Sequence, residues 1–185
     1  MSQTYWLNLG CGNTIIPGFT NVDMISAPHI HVQANVDDLS KFYDEQAEYI
    51  YASHVLEYFH KSEADIVIQE WARVLCIGGM IRIAVPDLDA LWAAYKAFGI
   101  DTVLGPLYGR MEVDGLPIYH KTAYNFESLK GLLMRHGFRH VRKYDWRETI
   151  HRDYDDWSQS YIPHMDKEKG ILISLNVEAT KEINK

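Results

Sequence analysis

The residues of this chain best placed to do chemistry fall into two groups. The first is Gly10-Cys11-Gly12, directly after the apolar run Tyr5 to Leu9, with Asp23 at the end of a second short run, Thr20 to Met24. Glycines that follow a first parallel strand let the backbone turn sharply and approach a ligand where a side chain would clash. A carboxylate at the tip of the next strand can accept hydrogen bonds from both hydroxyls of a ribose. Together they describe a nucleoside-bearing cofactor lying across the carboxyl ends of the strands. Phosphates are poorly provided for. The third glycine position of a G-x-G-x-x-G turn is Ile15, Asp23 comes well short of the ~20-residue spacing of a dinucleotide site, and no G-x-x-x-x-G-K run is present. A cofactor without phosphates fits better.

The second group comes from the 9 histidines. His54 follows the apolar run Tyr49 to Ala52, and His120 lies in the aromatic-rich stretch Tyr108 to Tyr124. A neutral imidazole near its reference pKa of ~6.5 would serve as base toward a protonated acceptor. A structural hydrogen bond is the competing reading for each. His29-Ile30-His31 alternates as strand residues do and lacks further ligands, and neither Cys11 nor Cys76 has a partner at metal-binding or CxxC spacing, so no metal is expected. His136 and His140, flanking Gly137 at a helix end, read as structural.

The elements that must hold these groups alternate between short apolar runs and helical periodicity, as in an α/β domain around a largely parallel sheet. Strands are expected at Tyr5 to Leu9, Thr20 to Met24, Ile30 to Ala34, Tyr49 to Ala52, Met80 to Val85, Phe138 to Trp146 and Ile171 to Ala179. Ser62 and Asp65 are placed to cap a helix carrying Val67, Trp71, Val74 and Leu75, stopped by Gly78-Gly79. Asn125 caps another, with Phe126, Leu129, Leu132 and Leu133 on one face, and Leu88 to Phe98 is a third, whose Trp92 and Tyr95 read as core. Two polar, aromatic-rich stretches, about 99–124 and 147–170, read as long irregular insertions, the kind that carry function or close over a site. They hold Tyr108, Tyr119, Tyr124, Tyr154, Trp157 and Tyr161 among Asp114, Asp153, Asp155 and Asp156, a mixture suited to a sugar-like or other polar small molecule or, more plainly, to a lid over the protein's own core.

Composition sets the outer limits. A chain of 185 residues with 47% hydrophobic and 23% charged residues is expected to form one domain over 1–185 without disulfide or metal support. Its net charge of −7 is uneven, with −8 in residues 1–70 and +1 in the remainder, a poor footprint for nucleic acid. The basic stretch from Arg135 to Arg152 reads as a solvated face, or less simply as a hold on an anionic ligand. No apolar run reaches the ~18 residues of a membrane span. No basic-then-apolar leader opens the chain, so a cytoplasmic location is expected.

In order, the stretches Leu7 to Gly12, Pro17 to Asp23, Tyr51 to Phe59, Trp71 to Leu88, Phe126 to Phe138 and Ser174 to Ala179 resemble the class I S-adenosylmethionine-dependent methyltransferases, in particular a small bacterial group related to the type-11 methyltransferase domain. The resemblance implies a single Rossmann-like domain: a mostly parallel seven-strand sheet with an antiparallel last strand and helices on both faces. S-adenosylmethionine would be the cofactor. Gly10 and Gly12, with Cys11 between them, would lie against its methionine portion, and Asp23 would hold the ribose. Asp38 and Leu39 would meet adenine, while Ser53 and His54 would border the methyl group. His54 or His120 would be the base for a small-molecule or glycan-like acceptor, with the two insertions forming the acceptor side or lid. Many relatives carry an acid where this chain has Asn8. Two rival readings remain: a binding or scaffold module that keeps the fold without turnover, and a nicotinamide-dependent oxidoreductase.

Overall fold

A computed structural model describes residues 4–113 and 115–182; Asp114 lies outside the described residues. Seven strands form the main sheet: β1 (Tyr5–Leu9), β2 (Thr20–Asp23), β3 (Val32–Gln33), β4 (Ala47–Ser53), β5 (Leu75–Pro86), β6 (Phe138–Lys143) and β7 (Ser174–Lys181). Their order is β3-β2-β1-β4-β5-β7-β6, and only β7 runs antiparallel to its neighbours. This is the Rossmann-like sheet that the sequence implies. The strand order reverses between β1 and β4, which opens a crevice at the carboxyl ends of those strands.

Four helices accompany the sheet: α1 (Lys61–Val74), α2 (Leu88–Phe98), α3 (Asp101–Tyr108) and α4 (Phe126–Arg135). Side chains alternate across the pleat, so each face has its own chemistry. Leu7, Leu9, Ile50, Ile81, Ile83 and Val177 point to one face, where α1 and α4 cover them through Val67, Ile68, Trp71, Leu129 and Leu133. Trp71 is fully buried, and its indole N–H donates to the Val36 carbonyl at 2.8 Å. Helices α2 and α3 pack separately through Leu91, Ala94 and Val103 on Ile162 and Ile173.

The opposite face is polar and aromatic, carrying Asn8, Asn21, Tyr49, Tyr51, Arg82, Asn176 and Glu178. It is covered partly by Ile16 and Phe19 of the β1–β2 link and partly by residues 144–162, which include the short 3₁₀ helices Trp146–Glu148 and Trp157–Gln159. The Tyr51 hydroxyl donates to Asp156. Asn176 Nδ2 donates to the Ser158 carbonyl at 2.9 Å, and Arg82 donates to Glu178 at 2.9 Å. The link from β1 to β2 contains turns and no helix, and the segment after β6 adds the two 3₁₀ turns.

Several boundaries differ from the sequence-based expectation, each for a local reason. His60, not Ser62, caps α1: its backbone N–H donates to Glu63 at 2.8 Å in a capping box, and Asp65 is left to face His136 at 2.9 Å. Gly78-Gly79 does not stop that helix, which ends at Val74. The chain passes straight into β5, and the glycines form a bulge where the pairing skips from Ala47↔Leu75 to Tyr49↔Met80. The stretch 99–124, expected as irregular, contains α3 and a hairpin of Met111–Val113 with Leu116–Ile118. Trp92 and Tyr95, expected as core, are 60% and 39% exposed, since α2 buries the Leu91–Ala94 side instead. Ile171–Leu172 pairs with Tyr161–Ile162 as a separate hairpin, so β7 begins only at Ser174. No helix among the described residues is long and apolar enough to cross a membrane.

His151 stacks on Tyr51 with ring centroids 4.1 Å apart and is fully buried. Burial pushes its pKa down from 6.5 to about 4, against the pull of Asp156. The folded state therefore resists a proton that the unfolded chain accepts first, and this contribution is intact above pH 6.5 and lost as pH falls toward about 4. His151→Phe, which keeps a ring on Tyr51, should flatten that acid-side loss in urea-unfolding midpoints. Parallel wild-type and variant curves across this window would refute the assignment.

Candidate functional site

The crevice is built from the first turn upward. Gly10 and Gly12 take positive φ values of 61° and 50°, which reverse the chain immediately after β1. The Gly10 amide donates to the Val22 carbonyl at 2.8 Å, and a side chain at Gly10 would meet Val55 Cγ2 at 2.5 Å. Above Gly12 there is open space. Its amide donates to Asp23 Oδ2 at 2.8 Å, while Asp23 Oδ1 accepts from the Ile25 amide at 3.2 Å. One backbone donor per oxygen leaves a lone pair on each for a diol. A nucleoside-bearing cofactor fits this cradle. Burial, aided by the nearby Asp23 charge, pushes the Cys11 thiol up to about 12, so it stays protonated beside the site.

The link to β2 is held without a helix. Asn8 Nδ2 donates to the Thr14 carbonyl at 3.1 Å and to Asn21 Oδ1 at 3.2 Å. A ring nitrogen of His29 lies 2.6 Å from the Gly12 carbonyl, and His31 Nδ1 accepts from the Asn21 amide at 2.8 Å. Both histidines precede β3 rather than lying in it, and both brace the turn. With no helix start after Gly12, no site for a pyrophosphate is formed, which argues against a dinucleotide.

Asp38 and Leu39 are placed differently from each other. Leu39 is fully buried in the core; its amide donates to Glu70 Oε1 at 2.9 Å, and its carbonyl accepts from Arg73 at 3.0 Å and from the Phe42 amide at 2.8 Å. Asp38 is exposed, and the Ser40 side chain, together with the Ser40 amide that donates to the carboxylate at 3.1 Å, holds its pKa below the usual range. At the end of β4, the Ser53 hydroxyl is buried with no hydrogen-bond partner, beside the crevice.

The two candidate histidines, drawn from segments far apart in the chain, meet at one residue. Glu57, in the 3₁₀ turn Leu56–Tyr58, is fully buried. Its Oε1 lies 3.1 Å from His54 Nδ1 and 3.7 Å from His120 Nε2. Neither carboxylate oxygen makes an aligned hydrogen bond, so these are close contacts rather than formed bonds. The backbone ties the same groups together: the Glu57 carbonyl accepts from the amides of Lys121 at 2.8 Å and Thr122 at 3.2 Å. Glu57 was not singled out from sequence. Its place three residues after His54 is the only local signal, and that spacing acquires meaning only once His120 folds over it.

The proton inventory follows from the hydrogen-bond network. Asn176 Nδ2 is fixed on the Ser158 carbonyl, which turns Oδ1 toward Ser174; the Ser174 hydroxyl donates to that oxygen at 3.0 Å. Ser174 Oγ then offers a lone pair to His54 Nε2 at 3.1 Å, so this nitrogen is assigned the proton. Nδ1 then faces Glu57 Oε1 at 3.1 Å, near enough for a proton to pass between them once the two groups align. Ser174, His54 and Glu57 are spaced like a hydrolase triad. The serine proton points away from the imidazole, however, so Ser174 is no activated nucleophile. Burial lowers the His120 pKa, against the raising effect of Glu57, which keeps that ring neutral.

Trp157, 66% exposed, has its ring 6.4 Å from that of His54 and faces solvent at the mouth of this cluster. His136 and His140 are remote, held on Asp65 at 2.9 Å and Glu182 at 2.8 Å. Among the described residues no group of His, Cys, Asp and Glu forms a metal site.

Residues 17–83 match a family model described as a methyltransferase domain. A comparison with curated proteins finds no match. Among solved structures, a SAM-dependent methyltransferase from Methanosarcina mazei superposes with a TM-score of 0.60 at 17% identity, covering 100% of this chain and 95% of that one. One from Archaeoglobus fulgidus gives 0.59 at 17% identity, covering 97% and 86%. The 1,6-didemethyltoxoflavin-N1-methyltransferase of Burkholderia thailandensis, solved with S-adenosylhomocysteine, gives 0.57 at 13% identity, covering 98% and 72%. Likeness at these identities establishes the fold.

Gly109, which ends α3 at a φ of 51°, packs its Cα against the His120 ring, leaving no room for a methyl group. Gly109→Ala should therefore cost ~1 kcal/mol for the left-handed backbone plus the displacement of His120. In a His120→Ala background only the backbone cost should remain, giving a clear coupling energy in unfolding experiments. Additive losses would show that the two residues do not compete for space.

Proposed function

We propose that this chain is a class I S-adenosylmethionine-dependent methyltransferase for a small-molecule or glycan-like acceptor, with its donor site at Gly10–Gly12 and Asp23 and its acceptor side at His54 and His120. The match of residues 17–83 to a methyltransferase domain and the shared fold support S-adenosylmethionine as the cofactor and methyl transfer as the reaction class. When bound, that cofactor supplies an activated methyl group on a sulfonium. The protein's task is to hold donor and acceptor in attacking geometry and to receive any proton the acceptor gives up.

One observation carries the reading: the Gly12 amide sits on Asp23 Oδ2 at 2.8 Å beneath open space, at the point where the strand order reverses. Asp23 would take the ribose, Ser53 and His54 would border the methyl group, and Asp38 would remain available to adenine. The insertions 99–124 and 147–170 would form the acceptor side, because His120 comes from the first and Trp157 from the second. Exposed Trp157, Tyr108 and Tyr119, with Asp153 and Asp155 nearby in sequence, suit a ring-bearing polar acceptor. The acidic balance of the first 70 residues supports an acceptor other than nucleic acid.

Calorimetry should show S-adenosylhomocysteine binding in the micromolar range, about −7 to −8 kcal/mol, and no comparable binding of NAD. Asp23→Ala should weaken it by ~2 kcal/mol, the value of charge-assisted bonds to one carboxylate. Tight NAD binding without the methyl cofactor would overturn the reading, and undiminished affinity in Asp23→Ala would remove Asp23 from the donor site.

A further inference from the structure

We propose that Glu57 is the positioning residue that makes His54 and His120 a single proton-accepting unit, and that the acceptor is therefore a hydroxyl or an amine, a group that loses a proton when methylated. This deepens the methyltransferase reading and rests on it. The geometric case begins with isolation. Glu57 is fully buried with both carboxylate oxygens lacking an aligned partner, and the two rings approach the same oxygen, at 3.1 Å and 3.7 Å. A buried carboxylate without a cation is costly, and retention of one between two imidazoles is explained when protons are shared among the three. The other ionisable groups around it are phenols: Tyr58, whose ring packs edge-on against His120 at 4.8 Å, and Tyr124. Burial raises both, the Glu57 charge adds to it, and Asp65 acts further on Tyr124, so neither phenol takes part near neutral pH.

His54 carries its proton on Nε2 toward Ser174 and turns Nδ1 toward Glu57 Oε1, while His120 turns Nε2 toward the same oxygen. One further proton can enter, on His120 Nε2, directly or by transfer through Glu57. During the reaction the acceptor oxygen or nitrogen bonds to the methyl carbon, the carbon–sulfur electron pair stays on sulfur, and the displaced proton passes to the histidine unit. The sulfonium's positive charge disappears as the unit gains one, so no net charge appears in the buried site. A thiolate or carboxylate acceptor would bring no proton and would have no use for this arrangement.

The test compares wild type with Glu57→Gln and Glu57→Asp. Imidazole nitrogen NMR, which needs no acceptor, should show His54 protonated on Nε2. In Glu57→Gln the titration of His120 should move to lower pH, because the carboxylate that favours its charged form is gone; His136 and His140 serve as internal references. S-adenosylhomocysteine affinity should stay the same in all three proteins. With labelled methyl donor and a panel of hexosides, phenols, primary amines and thiols, the wild type should methylate hydroxyls or amines. For that acceptor, Glu57→Gln should lower kcat ~100-fold with little change in KM and with a displaced pH profile, and Glu57→Asp should recover part of the loss. An unmoved His120 titration in Glu57→Gln, or unchanged kcat, would overturn the role of Glu57. Methylation confined to thiols would overturn the acceptor class. Failure of the wild type to bind S-adenosylhomocysteine would instead remove the methyltransferase reading, and the NMR comparison would still decide whether Glu57 sets the protonation of the two rings.

Discussion

The period of two along the strands is the constraint on which the rest of this structure depends. Ile50 and Ala52 face the helices, so Tyr49 and Tyr51 must face the other way; Ile81 and Ile83 impose the same on Arg82, and Val177 on Asn176 and Glu178. One face can be closed by apolar helices. The other presents hydroxyls, amides and a buried ion pair, which an apolar helix would leave unsatisfied. An irregular segment with free carbonyls and polar side chains can answer some of them, and residues 144–162 answer Tyr51 and Asn176 through Asp156 and the Ser158 carbonyl. The polar face thus explains why a long segment lacking α-helix is stable here.

Shortness between β1 and β2 has the opposite effect at the Gly10–Gly12 turn. With no room for a helix, the turn loses the dipole and the row of amides that would hold a phosphate. It gains rigidity from side chains instead: Asn8 and Asn21 beneath it, His29 on the Gly12 carbonyl, and Asp23 on the Gly12 amide. An acid at the position of Asn8 could not donate to the Thr14 carbonyl or to Asn21 Oδ1, as the amide does. The amide of Asn8 thus braces the turn from below.

Much of this architecture was legible in the sequence because it is local. The apolar runs, Asn125 as a cap and the Gly10–Gly12 turn each depend on neighbours within a few residues, and α2 runs over Leu88–Phe98 as its periodicity indicates. What escaped is what depends on distant partners. Trp92 and Tyr95 have the spacing of a core stripe, but Leu91 and Ala94 have a competing one, and only the position of Ile162 and Ile173 decides which is buried. Gly78-Gly79 carries the signature of a helix stop, yet pairing with β4 draws the chain into a strand first. Glu57 reads as one more acid on a turn until His120, 63 residues later, closes over it. Leu39 is hidden in the same way, since its amide is claimed by Glu70, 31 residues further along the chain.

His54 shows how these levels combine. Its φ of 56° is unusual for a residue with a side chain and costs on the order of 1–2 kcal/mol. Such a conformation persists only when its surroundings over-determine it, and here they do. The His54 amide donates to the Ala84 carbonyl at 2.8 Å, Nε2 reaches Ser174 at 3.1 Å and Nδ1 faces Glu57. Each anchor belongs to a different part of the chain: β5, β7 and the turn after β4. The strained backbone points the imidazole back across the strand ends, toward β7 and the cluster of Glu57 and His120, where an extended residue continuing β4 would carry it elsewhere. Relaxing the backbone would therefore release the ring from every partner at once. Strain at this one residue is what keeps the histidine pair assembled at the mouth of the crevice, and the sheet beneath supplies the rigidity that holds it.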